Sequence, residues 1–153
     1  MAELEGRVAA ICGGTSGVGL AIAKAFAADG ASMVVSGRRP AKGEAALAEL
    51  NIGDRAHYVQ GDGGVKDDCE ALIAETVSRY GKIDILVNCA GGSENNAPVV
   101  DLTDEAMEFG LRVNYWSSFW LTRAALKHMI PQTYGRIMYI SSVEGKVGKP
   151  GLS

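Results

Sequence analysis

Between Val8 and Leu20 the chain reads Val8-Ala9-Ala10-Ile11-Cys12-Gly13-Gly14-Thr15-Ser16-Gly17-Val18-Gly19-Leu20, an apolar run that passes through clustered glycines into a helical pattern. Residues of these types in this order suit the pyrophosphate of a dinucleotide. Gly13 permits a tight reversal, and Gly17 and Gly19 lack the Cβ that would hold off phosphate or sheet. The helix that follows points unpaired N–H groups at the anion. Thr15 and Ser16 add hydroxyl donors, and Val18 opens the helix beside them. The spacing differs from G-x-G-x-x-G and lacks the Lys-Ser/Thr pair of a P-loop, which argues against an ATPase or GTPase.

Further polar residues fall where other apolar runs end: Ser36-Gly37-Arg38-Arg39, Gly61-Asp62-Gly63, Asn88-Cys89-Ala90-Gly91 and Ser141-Ser142. A carboxylate after the second run would accept hydrogen bonds from the ribose hydroxyls of NAD, and none is present. Gly37 stands about where that acid would be, and the guanidinium forks of Arg38 and Arg39 suit a phosphate. The expected cofactor is therefore NADP(H), with NAD(H) possible if the arginine pair is only a solvated turn. The same absence of an acid disfavours an S-adenosylmethionine methyltransferase. Asp62 has two readings, an acceptor for the adenine amino group or an Asx-turn, with Gly63 beside it. Asn88 is expected at the cofactor site, its amide tying neighbouring strands together. Ala90 and Gly91 let backbone approach the nicotinamide ribose.

The elements that would position these residues alternate along the chain. Strand patterns lie near 7–12, 32–36, 56–61, 83–88 and 135–141, with helical patterns near 17–29, 41–50, 66–80 and 103–130. That rhythm predicts an α/β, doubly wound parallel sheet, Rossmann-like, with both faces covered; Ile83-Asp84-Ile85-Leu86-Val87 is a typical continuous run. In such a sheet the ligand binds beyond the carboxyl ends of the strands. Gly30, Gly53 and Gly81 are expected to stop helices and Pro40 to start one. Thr103-Asp104-Glu105-Ala106 opens as a capped short helix, and Asn114 marks the start or a bend of a longer one ending before Pro131. The aromatic cluster Tyr115, Trp116, Phe119 and Trp120 is either core or a self-association face.

The 153 residues are 47% hydrophobic and 22% charged with a net charge of −3, and they read as one dinucleotide-binding domain over 1–153 with no general attraction to nucleic acid. No apolar run approaches the roughly 20 residues that a bilayer needs. The acidic Met1-Ala2-Glu3-Leu4-Glu5 is unlike a signal peptide, so the expected setting is cytoplasmic, without membrane. Cys12, Cys69 and Cys89 form no metal-ligand pattern and read as reduced, core-filling thiols. His57 and His128 stand alone, and no metal site is expected.

Taken together the motifs resemble those of the short-chain dehydrogenase/reductase family. Cys12-Gly13 through Gly19 resembles its TGxxxGxG, with Cys for Thr, and Asn88-Cys89-Ala90-Gly91 its NNAG, with Cys for the second Asn. Asp62, Asn114 after Leu111-Arg112-Val113, and Gly135 through Ser142 match further positions in order, over nearly all of the chain. The resemblance implies hydride transfer between the cofactor and a small-molecule alcohol or ketone. In that scheme a tyrosine exchanges a proton with the substrate oxygen, a lysine supports the tyrosine, a serine orients the oxygen, and an asparagine completes a proton relay. Ser142 takes the serine role and Asn114 the asparagine role. The YxxxK segment is expected just after Ser153, so the sheet is expected to be truncated after its fifth strand and the chain to fall short of catalytic competence. Glu94, Asn95 and Asn96 are expected at the rim of the substrate pocket, and a homo-oligomer is expected. A nucleotide-binding module without chemistry, or a stable fragment, is the alternative.

Overall fold

The computed structural model describes residues 3–94 and 97–148. Five strands form one parallel sheet: β1 (Val8–Cys12), β2 (Ser32–Gly37), β3 (Ala56–Gln60), β4 (Ile85–Asn88) and β5 (Arg136–Tyr139), in the order β3-β2-β1-β4-β5. Every pairing is parallel, with Cys12 in register with Ser36 on one side and Asn88 on the other. The helices are α1 (Gly17–Ala28), α2 (Pro40–Leu50), α3 (Lys66–Tyr80), α4 (Asp104–Leu111) and α5 (Ser117–Met129).

Period-two alternation divides the core. Ala9, Ile11, Met33, Val35, Ile85 and Val87 pack with Ala23 and Ala27 of α1 and Leu50 of α2. The intervening residues Ala10, Cys12, Val34 and Leu86 pack with Leu72 and Ile73 of α3 and Leu121, Ala125 and Met129 of α5 on the other face. The chain thus winds in both directions from β1, and the order changes direction between β1 and β4. The crevice at that switch point lies beyond the strands' carboxyl ends.

Several expected boundaries move. β4 starts at Ile85, and Asp84 just before it keeps backbone bonds to both neighbours, its N–H donating to the Val8 carbonyl and its carbonyl accepting from the Arg136 N–H, while its side chain holds the amino edge of the sheet. Its carboxylate accepts from the Val8 N–H at 2.9 Å and pairs with Arg7 at 3.1 Å and Lys82 at 2.8 Å. Burial alone would raise the Asp84 pKa, but the hydrogen bonds from Lys82, Val8 and Arg7 outweigh it and hold the carboxyl below its ordinary value. α2 ends on Asn51 in the left-handed conformation, which asparagine tolerates, and Gly53 instead opens a 3₁₀ turn; Gly81 does cap α3. The region 103–130 breaks into α4, a π-helical turn at Arg112–Trp116, and α5. The break has a local cause. The Asn114 amide donates to the Gly110 carbonyl at 2.9 Å and Ser117 Oγ to that of Val113 at 2.7 Å, competing with the helical ladder.

β5 departs from the expectation of two covered faces, since Met138, Tyr139 and Ile140 are exposed. Tyr115, Trp116 and Phe119 are also exposed and form successive edge-to-face pairs, while Trp120 packs on the α3/α5 core and stacks on Trp116. The aromatic cluster is therefore core only at Trp120. Among the described residues no helix is long and apolar enough to cross a membrane.

Candidate functional site

The glycine turn is built by close packing. Gly13 has φ +75°, and a Cβ there would press on the Cys89–Ala90 backbone at 3.2 Å. A Cβ on Gly19 would lie 2.2 Å from the Gly13 carbonyl oxygen, so the turn and the first turn of α1 can meet only through glycine. Gly17, with φ +53°, has nothing within 4 Å of its Cβ position and faces open space. Ser16 takes the N-cap position of α1 in extended geometry, yet its side chain caps nothing. The N–H groups of Gly17, Val18 and Gly19 have no backbone acceptor, and no acidic residue lies in the first turn. Uncapped N–H groups at the positive end of a 12-residue helix form an anion cradle.

The cleft over this cradle is also lined by Thr15, Arg38, Arg39, Asp62, Gly63, Ala90 and Gly91. Thus all the predicted dinucleotide residues but Gly17 and Asn88 line one crevice. Gly37 has a different explanation from the one expected. Its Cβ position is 2.3 Å from Thr15 Oγ1, so the packing of Thr15 across the strand end demands glycine there, whatever ribose the site accepts. Arg38 and Arg39 are exposed and form no ion pair among the described residues.

Asp62 serves the turn and the cleft together. Oδ1 accepts from the Gly64 N–H at 2.9 Å, an Asx-turn, while the Asp62 N–H donates to Asp68 at 2.8 Å. Gly63 is glycine because a Cβ would meet Ala90 Cβ at 2.5 Å and Cys12 Sγ at 3.2 Å.

Asn88 requires a correction. It joins β4 to α5, not one strand to another: its amide donates to Ser117 at 3.0 Å and Ser118 at 3.1 Å, and its oxygen accepts from the Ala90 N–H at 3.0 Å. Buried and engaged at both ends, it holds the Ala90-Gly91 backbone in place and has no amide group turned to the crevice over the cradle.

Ala90 and Gly91 also border a second crevice, which holds Asn114, Ser118, Tyr139, Ser141 and Ser142. Asn114 clamps the loop after β4, accepting from the Gly92 N–H at 3.0 Å and donating to the Gly92 carbonyl at 2.7 Å. Ser142 is exposed; its hydroxyl donates to the Glu144 carboxylate and accepts from the Glu144 N–H. The two crevices thus put the anion cradle and the Asn114–Ser142 pair on opposite sides of one short backbone segment. Glu94 is exposed and lines neither crevice, and Asn95 and Asn96 lie outside the described residues.

All three cysteines are free thiols. Cys89 N–H donates to the Cys12 carbonyl at 2.9 Å, but their side chains pack on opposite faces of the sheet. Burial pushes the Cys12 thiol up to about 11, against a lowering hydrogen bond from Ser36, and the Cys69 thiol up to about 12. Among the described residues no group of three or more histidines, cysteines and carboxylates is placed to hold a metal ion. Phe109, Val113 and Ile140 also line the first crevice and were not foreseen. Their apolar types carry no mark of a ligand, and only the docking of α4 and the π turn over the sheet brings Phe109 and Val113 there.

Comparison with known proteins agrees with this geometry. A family model for short chain dehydrogenase matches residues 7–153. The chain is 37% identical over 145 residues to a D-beta-hydroxybutyrate dehydrogenase of Cupriavidus necator, covering 94% of this chain and 56% of that one. It is 36% identical over 151 residues to an NADP-dependent (R)-specific alcohol dehydrogenase of Lentilactobacillus kefiri, covering 98% and 60%. A solved short-chain type dehydrogenase/reductase from Mycobacterium ulcerans superposes with a TM-score of 0.92 at 26% identity, over 98% of this chain and 56% of that one. The chain spans about half the length of the curated relatives it matches.

Proposed function

We propose, from the premise that this chain belongs to the short-chain dehydrogenase family, that residues 1–153 form the dinucleotide-binding unit of an oxidoreductase that interconverts an alcohol and a carbonyl with NADP(H). One observation carries the reading: the uncapped N–H groups of Val18 and Gly19 open into the same crevice as Arg38 and Arg39, which lack ion-pair partners among the described residues. The cradle suits a pyrophosphate, and the arginine pair suits a further phosphate on the adenosine ribose. The family's cofactor supplies or accepts a hydride. The chain's own residues hold and orient: the α1 N-terminus and Gly13 take the pyrophosphate, Asp62 offers its second carboxylate oxygen to the adenine, and Ala90-Gly91 lets the ribose approach. NADP-dependence in the name of the L. kefiri relative supports the same choice.

On the far side of Ala90-Gly91, Ser142 orients the substrate oxygen with its hydroxyl. Asn114, clamped to Gly92, fixes the wall between the two crevices and stands in the family's relay position. No tyrosine among the 153 residues has a lysine four positions on, so they do not include the family's acid/base pair. A polypeptide of these residues alone binds cofactor and reduces carbonyls only at background. Copies associate through the exposed Tyr115, Trp116 and Phe119 face, in the cytoplasm.

Calorimetric titration of this chain with NADPH and NADH tests the cofactor reading. NADPH binds more tightly, by about tenfold or more for a charge-assisted phosphate contact, and Arg38→Ala shrinks the gap. Equal affinities in the unmodified chain overturn it.

A further inference from the structure

The β2–α2 turn that carries Arg38 and Arg39 is pinned at three consecutive carbonyl oxygens. That of Gly37 accepts from the Tyr58 hydroxyl at 2.8 Å and from the Gly61 N–H at 3.2 Å. That of Arg38 accepts from Gln60 Nε2 at 3.2 Å, and that of Arg39 from the N–H groups of Lys42 and Gly43 at 3.0 and 3.2 Å. The Tyr58 ring is itself lodged against α2, since a Cβ on Gly43 would lie 2.5 Å from it. A backbone held at this many points contrasts with two guanidinium groups that have no hydrogen-bond or ion-pair partner among the described residues.

The need for restraint is electrostatic. Arg38 borders a groove with Gln60, Asp62 and Asp68. The two carboxylates accept backbone N–H groups, and neither pairs with Arg38. A small shift of the turn would let Arg38 fall onto them, and an arginine so neutralised is lost to a phosphate.

We infer that Tyr58 and Gln60, both on β3, are positioning residues for recognition of the 2′-phosphate: by holding the Gly37 and Arg38 carbonyls they keep Arg38 and Arg39 directed to the dinucleotide and away from Asp62 and Asp68. This rests on the NADP(H) reading above. It assigns discrimination to a strand whose side chains never touch the phosphate, with the preorganised turn as the intermediary.

The test measures dissociation constants of NADPH and NADH by calorimetry for the unmodified chain, Tyr58→Phe, Gln60→Leu, the double variant, and each of these combined with Arg38→Ala. The double variant weakens NADPH by about three- to tenfold, as expected for two lost hydrogen bonds acting through one arginine, and leaves NADH within about twofold. In the Arg38→Ala background the same changes have a much smaller effect on NADPH. Equal weakening of both dinucleotides, or full additivity with Arg38→Ala, reduces the pair to general support of the fold and overturns the inference. An undiminished NADPH preference in the double variant also overturns it while leaving the cofactor reading intact. An unmodified chain without preference removes the reading and the inference together.

Discussion

Gly37→Ala isolates the packing that the site depends on. The added Cβ would lie 2.3 Å from Thr15 Oγ1, 2.9 Å from Cγ2 and 3.1 Å from Cβ, and Thr15 is buried. A β-branched side chain has few rotamers to retreat to. The backbone on either side is also held, by Gly14 N–H to the Ser36 carbonyl at 3.0 Å and Gly61 N–H to that of Gly37 at 3.2 Å. Overpacking of this kind costs about 1–3 kcal/mol. Thr15→Ala removes the two shorter contacts and leaves only the one at 3.1 Å, which a shift of a few tenths of an ångström relieves. Urea unfolding of the unmodified chain, both single variants and the double variant then gives a coupling of about 1–2 kcal/mol, the double variant being more stable than the sum predicts. Additivity within about 0.5 kcal/mol would refute the reasoning. A corollary for cofactor choice follows: Gly37→Asp introduces the same clash, and NADH affinity is gained only when Thr15 is truncated with it.

Asp84→Asn removes a buried carboxylate that joins Arg7, Lys82 and the Val8 N–H, and lowers unfolding stability by about 2–3 kcal/mol, less than for a fully buried pair because the cations are 38% and 40% exposed. Its depressed pKa means that the unfolded chain binds the proton more readily. The stabilisation is present above the ordinary value of about 3.9, is lost as pH falls through the lower folded value, and its acid-dependent slope is missing from Asp84→Asn in urea midpoints between about pH 2 and 5. Alkylation near pH 8, read by mass spectrometry, modifies Cys89 first and leaves Cys12 and Cys69 unlabelled until urea is added, as their burial and raised pKa values require; labelling of either at the unfolded rate contradicts the packing. Bound NADPH slows the reaction of Cys89, which lines both crevices. Phe119→Lys on the exposed aromatic face shifts the chain toward smaller species in sedimentation velocity, and an unchanged distribution places self-association elsewhere.

The alternating elements and the parallel sheet were legible because the central strands β1, β2 and β4 are short apolar runs and glycines or Pro40 punctuate the helices between them. Boundaries failed where tertiary demands replaced propensity. Ile83 and Asp84 read as strand; β4 begins only at Ile85, and nothing in the sequence signals that the Asp84 side chain joins Arg7, far away in sequence, at the amino edge of the sheet. Asn51 ended α2 ahead of the more obvious Gly53. Asn114 was legible as a bend, and the chain relieves the competition between its amide and the helix ladder with a π turn. Phe109 and Val113 could not be read as site residues at all, because an apolar side chain at a crevice has the same sequence signature as one in the core.

The glycines show most sharply what one chain can and cannot disclose. In sequence Gly13, Gly17, Gly19, Gly37 and Gly63 look alike, five small residues at the ends of strands or the start of a helix. In the structure four of them are demanded by the protein itself: Gly13 by the Cys89–Ala90 backbone, Gly19 by the Gly13 carbonyl, Gly37 by Thr15, and Gly63 by Ala90 and Cys12. Only Gly17 faces open space, with a positive φ of 53° and its N–H unpaired among backbone acceptors. The crowded four bring the ends of β1, β2, β3 and β4 and one helix into contact, which creates the crevice, while the fifth stands free at the start of α1. Packing and recognition therefore use the same residue type for different reasons. A Cβ at Gly19 or Gly63 has to disturb the fold, whereas a Cβ at Gly17 meets only backbone strain, so loss of dinucleotide affinity in Gly17→Ala without loss of the fold is the outcome expected if the α1 N-terminus holds the pyrophosphate.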